Sequence, residues 1–242
     1  MHKYFLIFGL LVLGEPVPAT SPVERGRFTD ARNIGNPAIR GSHRYDGADG
    51  SWWLTGSGIN MWGNRDEFYF VSEVVSDDCI LSANLYFPAT GVEPHRKAGL
   101  MFRATPEDDS PYVDVAVHGD GLTSLQYRAE KGGETREVIT QVKAPAFVQL
   151  EKSGDTFILR ISKDQTPSDE VASVTVQLGT QVHAGLFVCS HHAEVSEQAC
   201  FYNVRLDVPA EVKGGLLAPP SPSRLELFDT ETGRREVVYS TA

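Results

Sequence analysis

Tyr112-Val113-Asp114-Val115-Ala116-Val117-His118-Gly119-Asp120-Gly121-Leu122-Thr123-Ser124-Leu125-Gln126-Tyr127-Arg128 is the stretch on which the fold turns. Apolar and polar residues alternate on both sides of a Gly-Asp-Gly corner, the mark of two strands joined by a tight turn. Two registers compete. A two-residue Asp120-Gly121 turn sets Val117 against Ser124 and Val115 against Gln126. A three-residue loop, with Gly121 in the left-handed region, sets Val115 against Leu125, Val113 against Tyr127, Asp114 against Gln126 and Tyr112 against Arg128. A slip of one residue exchanges every side chain between the two faces. The longer loop keeps each face uniform and is the register adopted.

That register gathers Tyr112, Asp114, His118, Ser124, Gln126 and Arg128 on one face. The preceding run, Lys97 to Arg103, points Leu100 and Phe102 at the core. If it pairs as a neighbour, Lys97 and Arg103 join the polar face. Amides, cations and an imidazole match the hydroxyls of a sugar, and aromatic faces cover its C–H patches. The competing reading is an ordinary wet face whose charges serve solubility. A groove lined by these residues favours a ligand; a flat, ion-paired surface favours the second reading.

Outward from this hairpin the same period continues. Runs at 68–75, 79–87, 137–142, 147–152, 156–162, 173–178, 184–190 and 199–208 alternate in the manner of strands, with Gly, Asp and Pro turns between. About ten short strands at this spacing read as an all-β antiparallel sandwich. No helix longer than a turn or two is expected. Residues 209–223, with Gly214-Gly215 and Pro219-Pro220-Ser221-Pro222, have linker composition. Beyond them 224–229 and 235–239 flank Thr230 to Arg234 as a β-hairpin, which is marginal in water by itself.

At the other end, Met1-His2-Lys3 precedes an apolar run from Tyr4 to Leu13, too short to span a bilayer, and then Val17-Pro18-Ala19. This pattern reads as a secretory signal peptide over 1–19. A periplasmic or extracellular protein is expected, with no membrane insertion once the signal is removed. The 22 Lys and Arg against 32 Asp and Glu leave a net charge of −10. That balance argues against nucleic acid as a partner and against docking on an anionic membrane. Cys79, Cys189 and Cys200 are an odd set. Cys189 and Cys200 are the pair placed to form a disulfide; three buried thiols are the preferred reading.

Other candidates carry less. Trp52, Trp53 and Trp62 flank a Gly-rich stretch; an exposed Trp62 would stack on a sugar, though a Trp plugging a sandwich end is commoner. Asp46-Gly-Ala-Asp49-Gly50 lacks the remaining ligands of a calcium loop, so no cofactor is expected and calcium stays an open alternative. Cys189-Ser190-His191-His192 with Cys200 matches no standard zinc spacing. A retaining glycosidase needs two carboxylates about 5 Å apart. The derived face offers Asp114 alone, no nucleophile motif accompanies it, and no catalytic residues are assigned. The expected binding residues are Trp62, Lys97, Arg103, Tyr112, Asp114, His118, Gln126 and Arg128.

Five blocks together carry a family likeness: Leu54 to Phe68, Pro94 to Met101, Tyr112 to Arg128, Leu150 to Phe157 and Gly185 to His191. Residues 28–208 resemble the β-sandwich domain of unknown function, in the concanavalin A-like lectin/glucanase superfamily, that precedes TolB-like propellers in bacterial secreted proteins. The resemblance implies a jelly roll of two curved sheets, spanning 20–208, with any ligand on the concave face or its rim. It implies no particular activity. The matching polar positions are Asn60, Trp62, Arg65, Asp66, Arg96, Lys97, Asp114, His118, Asp120, Gln126 and Arg128, and the likeness assigns them no role. Cys79 and Cys200 stand where this pattern has other strand residues. The hairpin resembles the first strands of a WD-like propeller, so residues 224–242 are expected to be a truncated start of one. The leading expectation is a secreted, non-catalytic glycan-binding module. The alternatives are a module that docks on a propeller and a concanavalin A-like glycoside hydrolase using Asp114.

Overall fold

The computed structural model describes residues 28–76, 78–163 and 171–207, together with the backbone of strand residues 224–228 and 235–240. The expected signal peptide and linker lie outside the described residues. The chain divides into two units, Met1–Asp207 and Val208–Ala242. The described residues form strands and turns, with no helix.

The described residues of the first unit hold fourteen strands: β1 (Asp30–Ile34), β2 (Ser42–Asp46), β3 (Ser51–Gly58), β4 (Phe68–Val75), β5 (Cys79–Tyr86), β6 (Lys97–Arg103), β7 (Tyr112–His118), β8 (Thr123–Arg128), β9 (Arg136–Ile139), β10 (Phe147–Ser153), β11 (Thr156–Ser162), β12 (Ala172–Thr175), β13 (Val182–Cys189) and β14 (His192–Asp207). They build two antiparallel sheets of seven. Sheet A runs β1-β4-β13-β6-β7-β8-β9, and sheet B runs β12-β11-β10-β5-β14-β3-β2. This is the all-β sandwich expected from the alternation. In the second unit β15 (Arg224–Phe228) and β16 (Arg235–Ser240) pair antiparallel, with a register shift between Leu225 and Glu226.

The β7–β8 register is the three-residue one: Tyr112 opposes Arg128, Asp114 opposes Gln126 and Val115 opposes Leu125. Gly121 takes φ +87°, which a side chain would resist. The Gly121 N–H donates to the His118 carbonyl at 3.0 Å, and the His118 N–H donates to the Leu122 carbonyl at 2.8 Å. β6 pairs with β7, Lys97 opposite His118 and Arg103 opposite Tyr112. Lys97 and Arg103 therefore share the polar face.

The strand runs expected from the alternation begin at residue 68 and leave out β1, β2 and β3. β2, Ser-His-Arg-Tyr-Asp, is an exposed edge strand with no apolar alternation. β3 carries Gly56 and Gly58, residues that weaken a strand pattern. β14 begins seven residues before its expected start at Ala199, because its polar first half pairs with β3 around a register shift.

Between the sheets lies one core. Leu100, Phe102, Val113, Val115 and Leu125 of sheet A meet Leu54, Leu81, Leu150, Phe157 and Phe201 of sheet B. A second cluster covers the opposite face of sheet A: Ile34, Met61, Phe68, Phe70, Met101, Tyr112, Ala116, Phe187 and Cys189. β6 and β7 are thus buried at every position. The expected polar face has the right parity, yet it is covered where a wet surface was one of the two readings.

Residues 59–67 help to form the cover. Gly58, at φ +129°, makes the approach feasible; a Cβ there would fall 1.9 Å from the Glu67 carbonyl oxygen. The loop closes on itself through Glu67 N–H to the Asn60 carbonyl, 2.7 Å. It is tied to its surroundings by Tyr112 Oη donating to the Met61 carbonyl, 2.7 Å, and by Thr135 N–H donating to the Gly63 carbonyl, 3.1 Å.

Candidate functional site

Cross-strand register sorts the covered face of sheet A into rows. One end row is Arg103, Tyr112 and Arg128. The next holds Met101, Asp114, Gln126 and Glu137; then come the short side chains Gly99, Ala116 and Ser124; the other end row is Lys97 and His118. Burial makes each polar group on these rows a demand that something must meet.

At the Arg103 end the demand is almost wholly met. Asp66 Oδ2 accepts from Arg103 Nη1 and Arg128 Nη1, both at 2.8 Å, and Asp66 Oδ1 accepts from Arg128 Nη2 at 2.7 Å. Arg128 also donates to the carbonyls of Gly133, Ser110 and Gly63 at 2.9, 3.1 and 2.9 Å. Arg103 Nη2 donates to the Glu107 carbonyl. The two guanidiniums sit 5.8 and 5.0 Å from the Tyr112 ring centre. All three charged side chains are fully buried, and desolvation holds the Tyr112 phenol well above its ordinary pKa. Only Arg103 Nε lacks a partner. This is a closed network, whose donors are taken up by the chain's own acceptors. Arg103, Tyr112 and Arg128, expected as binding residues, here hold the loops to the sheet, because carbonyls and Asp66 take up nearly all of their hydrogen-bonding capacity.

The other end opens into a pocket of about 310 Å³ lined by Asn60, Trp62, His95, Lys97, His118, Leu122, Gln126, Glu137 and His191. Four expected residues come together here: Trp62, Lys97, His118 and Gln126. Lys97 Nζ donates to Asn60 Oδ1 at 2.9 Å and stands 6.0 Å from the Trp62 ring centre. Trp62 is 41% exposed at the rim. The Gln126 amide nitrogen reaches Ser124 Oγ at 3.2 Å and Glu137 Oε2 at 3.4 Å. The His95 ring lies 5.8 Å from both the His118 and the His191 ring. His191 itself sits at φ +59° in the turn between β13 and β14.

Here the polar groups are not satisfied. His118 Nδ1 and Nε2, Gln126 Oε1 and His191 Nδ1 are buried without a hydrogen-bond partner. Each such atom costs about 1–3 kcal/mol. Desolvation first, then the nearby Lys97 charge, lowers the His118 pKa to about 4. Burial lowers that of Lys97 as well, against the pull of Cys189 and Asp114.

Asp114 is fully buried but does not line the pocket. Neither of its oxygens has a hydrogen-bond partner. Burial raises its pKa well above the ordinary carboxylate value; Lys97 opposes this, as does, more weakly, the Gln126 main-chain N–H at a geometry short of a hydrogen bond. Among the described residues lining the pocket, Glu137 is the single carboxylate.

The remaining candidates fall outside this site. Trp52 is core, and Trp53 donates to Ser51 Oγ on sheet B. The acids of the Asp46–Asp49 turn accept from Arg44, Ala48 and Ser51. Among the described residues no group of three or more His, Cys, Asp or Glu is placed to hold a metal ion. Cys189 and Cys200 are buried on different sheets and form no disulfide, which removes that pairing. Burial pushes the Cys189 thiol up to about 11. A larger depression of about 490 Å³ beside β1 includes Arg32 and Arg40, both exposed.

Nothing in the sequence singles out His95 or Glu137, and His191 stands out only in the discarded zinc spacing and at the end of one likeness block. Asn60 entered only through the family likeness. The pocket draws on both ends of the chain's order, and no local pattern links residue 60 to residue 191.

No family model and no curated protein sequence matches this chain. Among solved structures it is similar to a functionally unknown protein from Saccharomyces cerevisiae, at 16% identity and TM-score 0.54, covering 69% of this chain and 92% of that one. It is also similar to the carbohydrate-binding module CBM66 from Bacillus subtilis, at 15% identity and TM-score 0.49, covering 75% and 97%. A Bacillus licheniformis β-glucanase is similar at 12% identity and TM-score 0.45, covering 75% and 91%. The first of these shows a shared fold, in accord with the two seven-stranded sheets.

Proposed function

We propose that this chain is a secreted glycan-binding module whose ligand enters the pocket over Lys97, His118 and Gln126. One observation carries the reading: both ring nitrogens of His118, Gln126 Oε1 and His191 Nδ1 are buried at this pocket and left without partners. A buried donor or acceptor is expensive unless something arrives to satisfy it. The closed network on the same face shows that this fold can satisfy such groups with its own atoms.

The lining suits a sugar. Hydroxyls donate and accept, and the pocket offers donors at Lys97 and acceptors at Gln126 Oε1 and Glu137. Trp62 at the rim provides an aromatic face for ring C–H groups. A volume of about 310 Å³ lies at the small end of the range for ligand sites. It holds one or two sugar rings rather than a long chain. The reading keeps the expected export, since extracellular glycans are met outside the cytoplasm.

The test is a glycan array on the purified chain, followed by calorimetric titration of any hit against wild type, Trp62→Ala and Gln126→Ala. Binding that weakens at least tenfold in both variants is the expected result. An array with no hit, or a hit indifferent to both substitutions, removes the proposal.

A further inference from the structure

The pocket is not uniform, and its asymmetry names a ligand class. Strand order across sheet A is β13-β6-β7-β8-β9. His191 follows β13, His95 and Lys97 lie before and on β6, and His118 ends β7. Gln126 and Glu137 lie on β8 and β9. Donor and cationic groups therefore crowd one side, and the amide oxygen and the carboxylate stand on the other. Backbones of β6 and β9 are three strand spacings apart, roughly 14 Å, and Glu137 makes no ion pair with Lys97, although its charge still reaches the ammonium across the pocket.

Lys97 sharpens the point. Its ammonium is nine-tenths buried or more and carries three donors, and one reaches Asn60. Among the described residues no carboxylate lies within ion-pairing distance of it. The neighbouring imidazoles of His95, His118 and His191 add further N–H donors, and two of them hold buried nitrogens with no partner.

We propose that the ligand is an acidic sugar, whose anionic oxygens dock between Lys97 and the three histidines while its hydroxyls meet Gln126 and Glu137. The inference rests on the glycan-binding reading and goes one step further. Carboxylate and sulfate oxygens share the required chemistry. An anion placed there reverses the local balance. His118 faces Lys97, Asp120, His95 and His191; His191 faces Lys97, Glu93 and His95. Lys97 faces Asp114, Glu137, Asp66 and Cys189. With an anion added to this set, protonation of the imidazoles becomes easier, and binding takes up protons.

Calorimetric titration of the full chain tests this with trimers in matched sets: galactose, galacturonate and galactose 6-sulfate, then glucose and glucuronate, then mannose and mannuronate. Titrations are run at pH 7.5 and 5.5, in two buffers of different ionisation heat. The expected result is at least a tenfold preference for an acidic trimer over its neutral partner, tightening as pH falls, with net proton uptake. The carboxylate and sulfate arms identify the source of the anion. Lys97→Met should abolish the preference. If that variant does not fold, His95→Ala at the exposed rim should reduce the preference for the acidic trimer instead. A neutral trimer bound as tightly as its acid leaves the glycan reading standing and overturns this inference. Binding by no sugar in any set overturns both.

Discussion

At the Arg103 end of the covered face, two guanidiniums and one carboxylate meet with nearly every hydrogen bond made. At the Lys97 end, on the same strands and the same face, an imidazole has both nitrogens bare and an amide oxygen goes unused. Both ends are buried, and both carry polar groups that burial penalises. The first end solves the problem internally: loop carbonyls and Asp66 come to the cations. The second leaves it open at a pocket mouth. The difference teaches that burial of a polar group does not mark a site; burial without a partner, beside accessible space, does.

The largest expected effect breaks the closed end. Asp66→Ala leaves two buried guanidiniums without their counter-charge, and breaking a buried pair of this kind costs about 3–5 kcal/mol. Urea unfolding should show the midpoint falling sharply or the protein failing to fold. A midpoint within error of wild type would mean that the network contributes nothing net.

Acid sharpens the contrast at the open end. The His118 pKa is about 4 in the fold and about 6.5 in the unfolded chain. The unfolded state therefore binds more protons between these values. This contribution to stability is complete above pH 6.5 and is lost as pH falls toward 4, by up to about 1.4 kcal/mol per pH unit. His118→Leu should flatten that part of the stability–pH curve. It should also be close to neutral at pH 7, because it removes unsatisfied polar atoms.

Asp114 should respond with the opposite sign. Its folded pKa is raised, so its favourable contribution is present at acid pH and lost as pH rises through the folded value. Asp114→Asn should match wild type near pH 4 and exceed it in stability at pH 8. Lower stability of the variant at pH 8 would instead show Asp114 ionised and held by Lys97.

The smallest effect is expected at the rim. Trp62 is 41% exposed, and Trp62→Ala should change stability by about 0.5 kcal/mol or less while ligand binding weakens at least tenfold. Thermal unfolding beside a titration separates the two. A large loss of stability would make Trp62 a structural plug.

Much of this architecture could be read from residue order. Alternation within β6, β7 and β11 gives their limits to the residue, since side chains on a pleated strand must alternate. The Gly-Asp-Gly corner chooses the register, because Gly121 alone tolerates the left-handed turn. Parity then puts Asp114, His118 and Gln126 on one face without reference to coordinates, and Lys97 joins them once β6 pairs with β7. Alternation cannot say whether that face meets water. The answer depends on residues 59–67, far from β7 in sequence, and on Gly58 letting them approach. Strand pairing likewise brings the turn at His191 beside His95, a proximity of long-range packing with no local signature. The sequence by itself thus determined which side chains share a face, through the two-residue period of a strand. Only the tertiary structure decided which of them are sealed by partners and which are left facing a pocket, because hydrogen-bond satisfaction is a property of the whole packed chain.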